Sequence, residues 1–211
     1  LVPLFVARRR DLVGGSSRAT LLIYFACLGL GFMMVEIALM QRFILFLGHP
    51  IYSLTVILFS LLFFAGLGSL ATNAIKVSAG RRMAWILLAL TVVLTFYVFL
   101  LPDVLQAGLA WSKTAKVVAS VVLLAPLGFL MGMPFPLGMK LANVSAPRMV
   151  PWLWGINGTL SVLASVLSIF LALIGGFTFV ALIGQAAYAI AFVTILLASR
   201  RQSGKELAAT A

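Results

Sequence analysis

The sequence predicts an all-α protein, a polytopic bundle of transmembrane helices that crosses the bilayer six times. Three observations predict it. The 211 residues are 64% hydrophobic and 9% charged, with a mean hydropathy of +1.20. A water-soluble domain carries about 25% charged residues, so most of the outer surface here has to face lipid. The apolar residues fall into six runs long enough to span, and the basic residues gather in alternate gaps between those runs.

A hydrocarbon core about 30 Å thick takes roughly 20 apolar residues as a helix, whose backbone satisfies its own hydrogen bonds. The runs at 19–47, 51–71, 83–101, 115–133, 151–173 and 177–198 meet that length. Ahead of them, the apolar stretch 1–7 is too short to cross, and it leads into Arg8, Arg9 and Arg10. Residues 1–18 therefore read as the end of a preceding span and a basic linker, and the expectation is a piece of a longer protein. A secretory signal would carry its charges before its apolar stretch. Residues 199–211 read as a polar tail.

Arg8, Arg9, Arg10 and Arg18 precede the first run, and Lys76, Arg81 and Arg82 lie between the second and third. Lys140 and Arg148 separate the fourth and fifth, and Arg200, Arg201 and Lys205 follow the sixth. The alternate side holds Arg42, Lys113 and Lys116, so twelve of fifteen basic residues share one side. The positive-inside rule puts that side, and both ends of the six-span unit, in the cytoplasm. The net charge of +11 is thereby topogenic. It predicts contact with anionic lipid head groups rather than nucleic acid, which needs basic residues gathered on one surface. Trp111, Trp152 and Trp154 fall near predicted span ends, where amphipathic rings favour the interface.

Glu36 is the one acid at membrane depth; the others are Asp11, Asp103 and Glu206. A carboxylate there is costly and normally faces protein or a cavity. At 1.5 Å per residue it lies about 25 Å from the start of its span, in the outer leaflet. Arg42 follows near the outer interface, about 240° around the helix, so the two do not pair within it. Glu36 reads either as a proton, cation or polar-ligand site or as a polar residue joining helices.

Small residues mark close packing. Gly29 shares a face with Glu36, Gly66 and Gly68 end the second run, and Gly128 and Gly132 form a GxxxG in the fourth. The fifth carries a polar and small stripe of Asn157, Gly158, Ser161, Ala164, Ser165 and Ser168, suited to a helix seam or a cavity wall. Pro134, Pro136 and Gly138 follow the fourth run and predict a helix break or a helix end at the interface. Leu30–Met34 echoes Leu127–Met131, and the three-span separation would invert one relative to the other.

Nothing predicts catalysis or a cofactor. His49, in the turn Leu47-Gly48-His49-Pro50, has no companion at metal-ligand spacing, so no metal is expected. Cys27 is the only cysteine. No glycine-rich nucleotide loop, nucleophile elbow or carboxylate pair occurs, so no residue is expected to be catalytic.

In order, the chain carries Gly31-Phe32-(x3)-Glu36, Gln41-Arg42-Phe43, Leu47-Gly48-His49-Pro50-(x)-Tyr52 and Gly66-Leu67-Gly68-Ser69. Met131-Gly132-Met133-Pro134-Phe135-Pro136-Leu137-Gly138 and Trp154-Gly155-Ile156-Asn157-Gly158-Thr159-Leu160-Ser161 follow. This set resembles the integral-membrane domain of bacterial membrane-bound spermidine synthase-like (aminopropyltransferase-like) proteins, over residues 19–198. The resemblance implies a transporter-like bundle joined to a soluble transferase domain, and that domain is not within these 211 residues.

The expectation is thus a non-catalytic membrane module that binds or transports a polar, cationic or amphiphilic ligand, such as a polyamine. Glu36, Arg42, Tyr52 and Asn157 are its candidate ligand residues. Gly128, Gly132, Pro134, Pro136, Gly138, Gly155 and Gly158 are its candidate break and close-packing residues. An attached soluble domain or further membrane subunits are the expected partners. The competing expectations are a structural anchor in a larger membrane complex, and part of a membrane transferase.

Overall fold

A computed structural model of the chain describes residues 15–75 and 80–209, with side chains described over 18–75 and 82–199. The apolar stretch 1–7, Arg8, Arg9, Arg10 and Lys76 lie outside the described residues. The described residues are helical almost throughout, with no strand among them.

The helices are α1 (Gly15–Leu47), α2 (Pro50–Ala71), α3 (Gly80–Phe99), α4 (Leu101–Ala107), α5 (Lys113–Met131), α6 (Pro134–Ser145) and α7 (Val150–Ala209). Five stretches are long and apolar enough to cross a membrane: Arg18–Leu47, Pro50–Ala74, Arg82–Phe99, Lys113–Ser145 and Pro147–Ser199. The last, of 53 residues, is long enough for two crossings. Gly176 has φ 74° and ψ 175°, a backbone conformation essentially reserved for glycine, and it divides α7 into a first and a second arm.

Side-chain contacts fix the helix directions. Phe25 meets Asn157, and Gly29 meets Ser161, so the first arm runs parallel to α1. Arg42 meets Thr178, and Gly31 meets Gly184 and Tyr188, so the second arm runs back. Arg42 also meets the end of α3 at Tyr97, while Gln185 reaches Thr91 and Thr95. That aligns α3 with α1. Helix α5 runs the other way: Lys116 lies over the Phe46 ring, and Tyr24 bonds to Pro134 just beyond its other end. Gly128 packs on Leu61 and Gly132 on Ala65, so α2 is parallel to α5. Successive spans therefore alternate in direction, as the gap charges predict, and the two echoed segments run in opposite senses. Arg18, Arg82, Lys140 and Arg148 collect at one end, here called the basic end, and Lys113 and Lys116 at the other.

The core sits around α1, which packs against α2, α5, α6 and both arms of α7. Tyr24, Phe25, Phe43, Leu61, Leu87, Leu124, Leu127 and Leu153 are fully buried. Exposed apolar residues such as Phe59, Phe96, Val122, Val166 and Phe170 cover the outside, the inversion that lipid as solvent allows. Two short helices extend the predicted spans. Helix α4 starts at Leu101, with Pro102 in its first turn, and buries Leu101 and Leu105. Helix α6 starts at Pro134 after a two-residue break at Gly132 and Met133. The predicted break is therefore a joint between two helices. Proline suits a first turn because its missing N–H has no helical partner there.

Candidate functional site

A cavity of about 580 Å³ opens on the side of the bundle. Its back wall is α1, through Leu28, Gly29, Phe32 and Met33. The sides are α2 (Leu62, Ala65, Gly66, Ser69) and the first arm of α7 (Trp154, Asn157, Ser161). The α5–α6 joint closes one end with Gly132, Phe135 and Pro136, and Tyr188 of the second arm also contributes. Helices α2 and α7 do not pack extensively on each other, and that gap is the mouth.

Glycines set the shape. A side chain at Gly29 would collide with the Asn157 carbonyl, and one at Gly132 with the backbone of Ala65. These two contacts draw the first arm onto α1 and α2 onto the joint. Gly66 differs: nothing lies within 4 Å of where its Cβ would be. Its lack of a side chain leaves room in the mouth.

The lining is mostly apolar, with a few polar groups. Asn157 Nδ2 donates to the Phe25 carbonyl at 3.0 Å, which orients its amide. Ser161 Oγ donates to the carbonyls of Asn157 (2.9 Å) or Gly29 (3.3 Å). The Ser69 and Tyr188 hydroxyls and Asn157 Oδ1 have no hydrogen-bond partner among the described residues. Among the described residues, no charged side chain lines the cavity.

Around the joint, Phe25, Phe135 and Trp154 form an edge-to-face chain, with ring centroids 5.3 Å and 4.8 Å apart. Tyr24 Oη donates to the Pro134 carbonyl at 2.7 Å. Gly138 lets the rings of Tyr24 and Phe25 approach α6.

The candidate residues read from the sequence are only partly brought together. Asn157, Gly132 and Pro136 line the cavity, with Gly128, Pro134 and Gly138 in the packing behind it. Gly155 and Gly158 are not close-packing positions: nothing lies within 4 Å of a Cβ at either, and both are exposed on an unbroken helix. Tyr52 is exposed in the first turn of α2, away from the cavity.

Arg42 is a tie between helices. Its Nη1 lies 2.9 Å from the Tyr97 carbonyl and 3.3 Å from that of Val98, and its Nη2 lies 3.0 Å from Thr178 Oγ1. It thus holds carbonyls at the end of α3 that the helix leaves unpaired.

Glu36 is buried and does not line the cavity. It makes no hydrogen bond or ion pair with any described residue. Both seam pairs, Phe25–Asn157 and Gly29–Ser161, are 132 residues apart. The same offset sets Glu36 level with Ser168, whose hydroxyl bonds back to Ala164.

No protein family, curated protein or solved structure matches this chain. The functional reading therefore rests on the residues themselves. Sequence reasoning missed Gly66, Ser69 and Tyr188 as lining residues. Gly66 and Ser69 were visible as a small and polar ending of the second run, whereas Tyr188 carried no signal in an apolar stretch. The described residues contain no cluster of His, Cys, Asp or Glu able to hold a metal.

Proposed function

We propose that the bundle is a membrane module that binds an amphiphilic molecule arriving sideways from the bilayer. The observation that carries this reading is the cavity of about 580 Å³ between α2 and the first arm of α7. Its size is typical of small-molecule sites, which are mainly apolar with a few placed polar groups. The separation of Glu36 and Arg42 from it favours an amphiphile over a polyamine or small cation. In this reading the basic end faces the cytoplasm of a bacterial inner membrane. The module is non-catalytic, and any transfer chemistry belongs to an attached or associated soluble domain. The resemblance to spermidine synthase-like membrane units supports that division of labour.

The test uses Trp154 as the reporter. A variant retaining it alone (Trp85→Phe, Trp111→Phe, Trp152→Phe) is titrated in detergent with single-chain oleyl amphiphiles brominated across the double bond. Saturable quenching that Gly66→Leu abolishes is the expected result. Leucine fills the mouth, and its Cβ meets nothing. Purely linear quenching with every amphiphile, unchanged by Gly66→Leu, would remove the binding reading.

A further inference from the structure

The cavity is polarised along the bundle axis, and this restricts what it can hold. Phe25 and Asn157 share one level, and Tyr24 and Pro134 meet beside it. Ser69 lies one turn beyond Ala65 toward the basic end, where Thr72 and Lys140 meet. The free Ser69 hydroxyl and Asn157 Oδ1 are therefore at the end of the cavity nearer the basic face. Moving inward, Leu62 of α2 and Phe32 and Met33 of α1 line the opposite end, and the Tyr188 ring packs beside Gly31 there and brings one further hydroxyl to the lining.

Charge is missing where a head group would sit. Lys140 is engaged elsewhere, 2.8 Å from the Thr72 carbonyl and 3.3 Å from Asn73 Oδ1. Phe25 follows Arg18 by seven residues, which sinks the polar end about 10 Å below the ring of basic residues. A charged head held there would be desolvated without a counter-charge, and that is strongly unfavourable. A hydroxyl head loses far less, and it can donate to Asn157 Oδ1 while accepting from the Ser69 hydroxyl.

Resting on the binding reading above, we infer that the cavity selects an uncharged single-chain amphiphile with a hydroxyl-bearing head. The head bonds to Ser69 and Asn157, and the chain runs toward the bilayer midplane past Leu62, Phe32 and Met33. The ligand thus has the polarity sense of the basic-side leaflet. Selection comes from the absence of any ion partner rather than from a specific clasp.

Three probes share one chain and differ in head: oleoyl glycerol (neutral), oleyl sulfate (anionic) and oleyl trimethylammonium (cationic), each brominated as above. The expected result is saturable quenching of Trp154 by the glycerol ester at least about tenfold tighter than by either ion. Ser69→Ala should weaken the ester about threefold to tenfold, the range of one neutral hydrogen bond, without moving the unfolding midpoint, because the hydroxyl has no protein partner. Equal or tighter saturable binding of either ion overturns the inference while leaving the binding reading intact. So does a Ser69→Ala variant that binds the ester as the parent does. Tighter binding of the cation that Glu36→Gln abolishes would put the ligand at the carboxylate instead.

Discussion

Arg42 Nη1 donates to the Tyr97 carbonyl at 2.9 Å, joining the far end of α1 to the last turn of α3. The same guanidinium reaches Thr178, just past the turn at Gly176, so one side chain ties three crossings. Hydrogen bonds from charged donors contribute about 1.5–3 kcal/mol each, and lysine cannot reproduce the planar fork. Arg42→Lys should therefore lower stability by about 1–3 kcal/mol. Unfolding in mixed detergent–dodecyl sulfate micelles measures this, and a parental midpoint would mean the tie is dispensable.

Gly132 and Gly158 look alike in the sequence and should behave oppositely. A methyl at Gly132 meets the Ala65 backbone, whereas nothing lies within 4 Å of one at Gly158. Gly132→Ala should cost about 1–3 kcal/mol by forcing α2 off the joint. Gly158→Ala should be neutral or stabilising by up to about 1 kcal/mol through helix propensity. The same unfolding assay ranks the pair, and equal effects would contradict the packing.

At Gly176, φ is 74° and ψ is 175°, so Gly176→Ala should destabilise by about 1–3 kcal/mol although space is free around the position. Its neighbour Gly175 keeps helical geometry but has the Phe179 ring within 3 Å of its Cβ position. A Gly175→Ala variant checks whether crowding or backbone conformation dominates. Backbone conformation predicts the larger loss at Gly176.

Glu36→Gln replaces a buried carboxyl group that has no hydrogen-bond or ion partner among the described residues. The amide keeps the shape and is cheaper to desolvate, so the variant should be at least as stable as the parent. Affinity for brominated oleoyl glycerol should be unchanged, since Glu36 does not line the cavity. A loss of affinity at equal stability would return the carboxylate to the site.

Single cysteines in a Cys27→Ser background at residues 82, 113 and 140 test the alternation. Membrane-impermeant maleimide applied to spheroplasts should label 113, while 82 and 140 should need permeabilisation. Labelling of 82 and 113 from the same side would break the threading.

Much of the fold was legible because lipid imposes a length and loops carry a charge bias. The six apolar runs reappear as five spanning stretches, one folded at a glycine, and the helix directions alternate as Arg82, Lys140 and Lys113 imply. Gly29, Gly128 and Gly132 were legible as packing positions because close backbone approach has no substitute for a missing side chain. Gly155 and Gly158 misled for the same reason: a glycine facing outward has the same letter as one facing a helix. The grouping of Glu36, Arg42 and Asn157 did not emerge, because residues on one helix at different angles and depths are not neighbours. Only the 132-residue offset between α1 and the first arm, a tertiary register, tells which of them meet the cavity.

The turn at Gly176 bears on how the chain is inserted. From Leu173 to Phe177 it offers no charged or polar residue that would hold one arm in water while the other crosses. The expected course is that the two arms enter hydrocarbon together as a hairpin, and a stall between them during synthesis would leave an apolar tip without shelter. A few polar residues spliced in after Gly176 would uncouple the arms, giving a partly translocated product where the parent gives none.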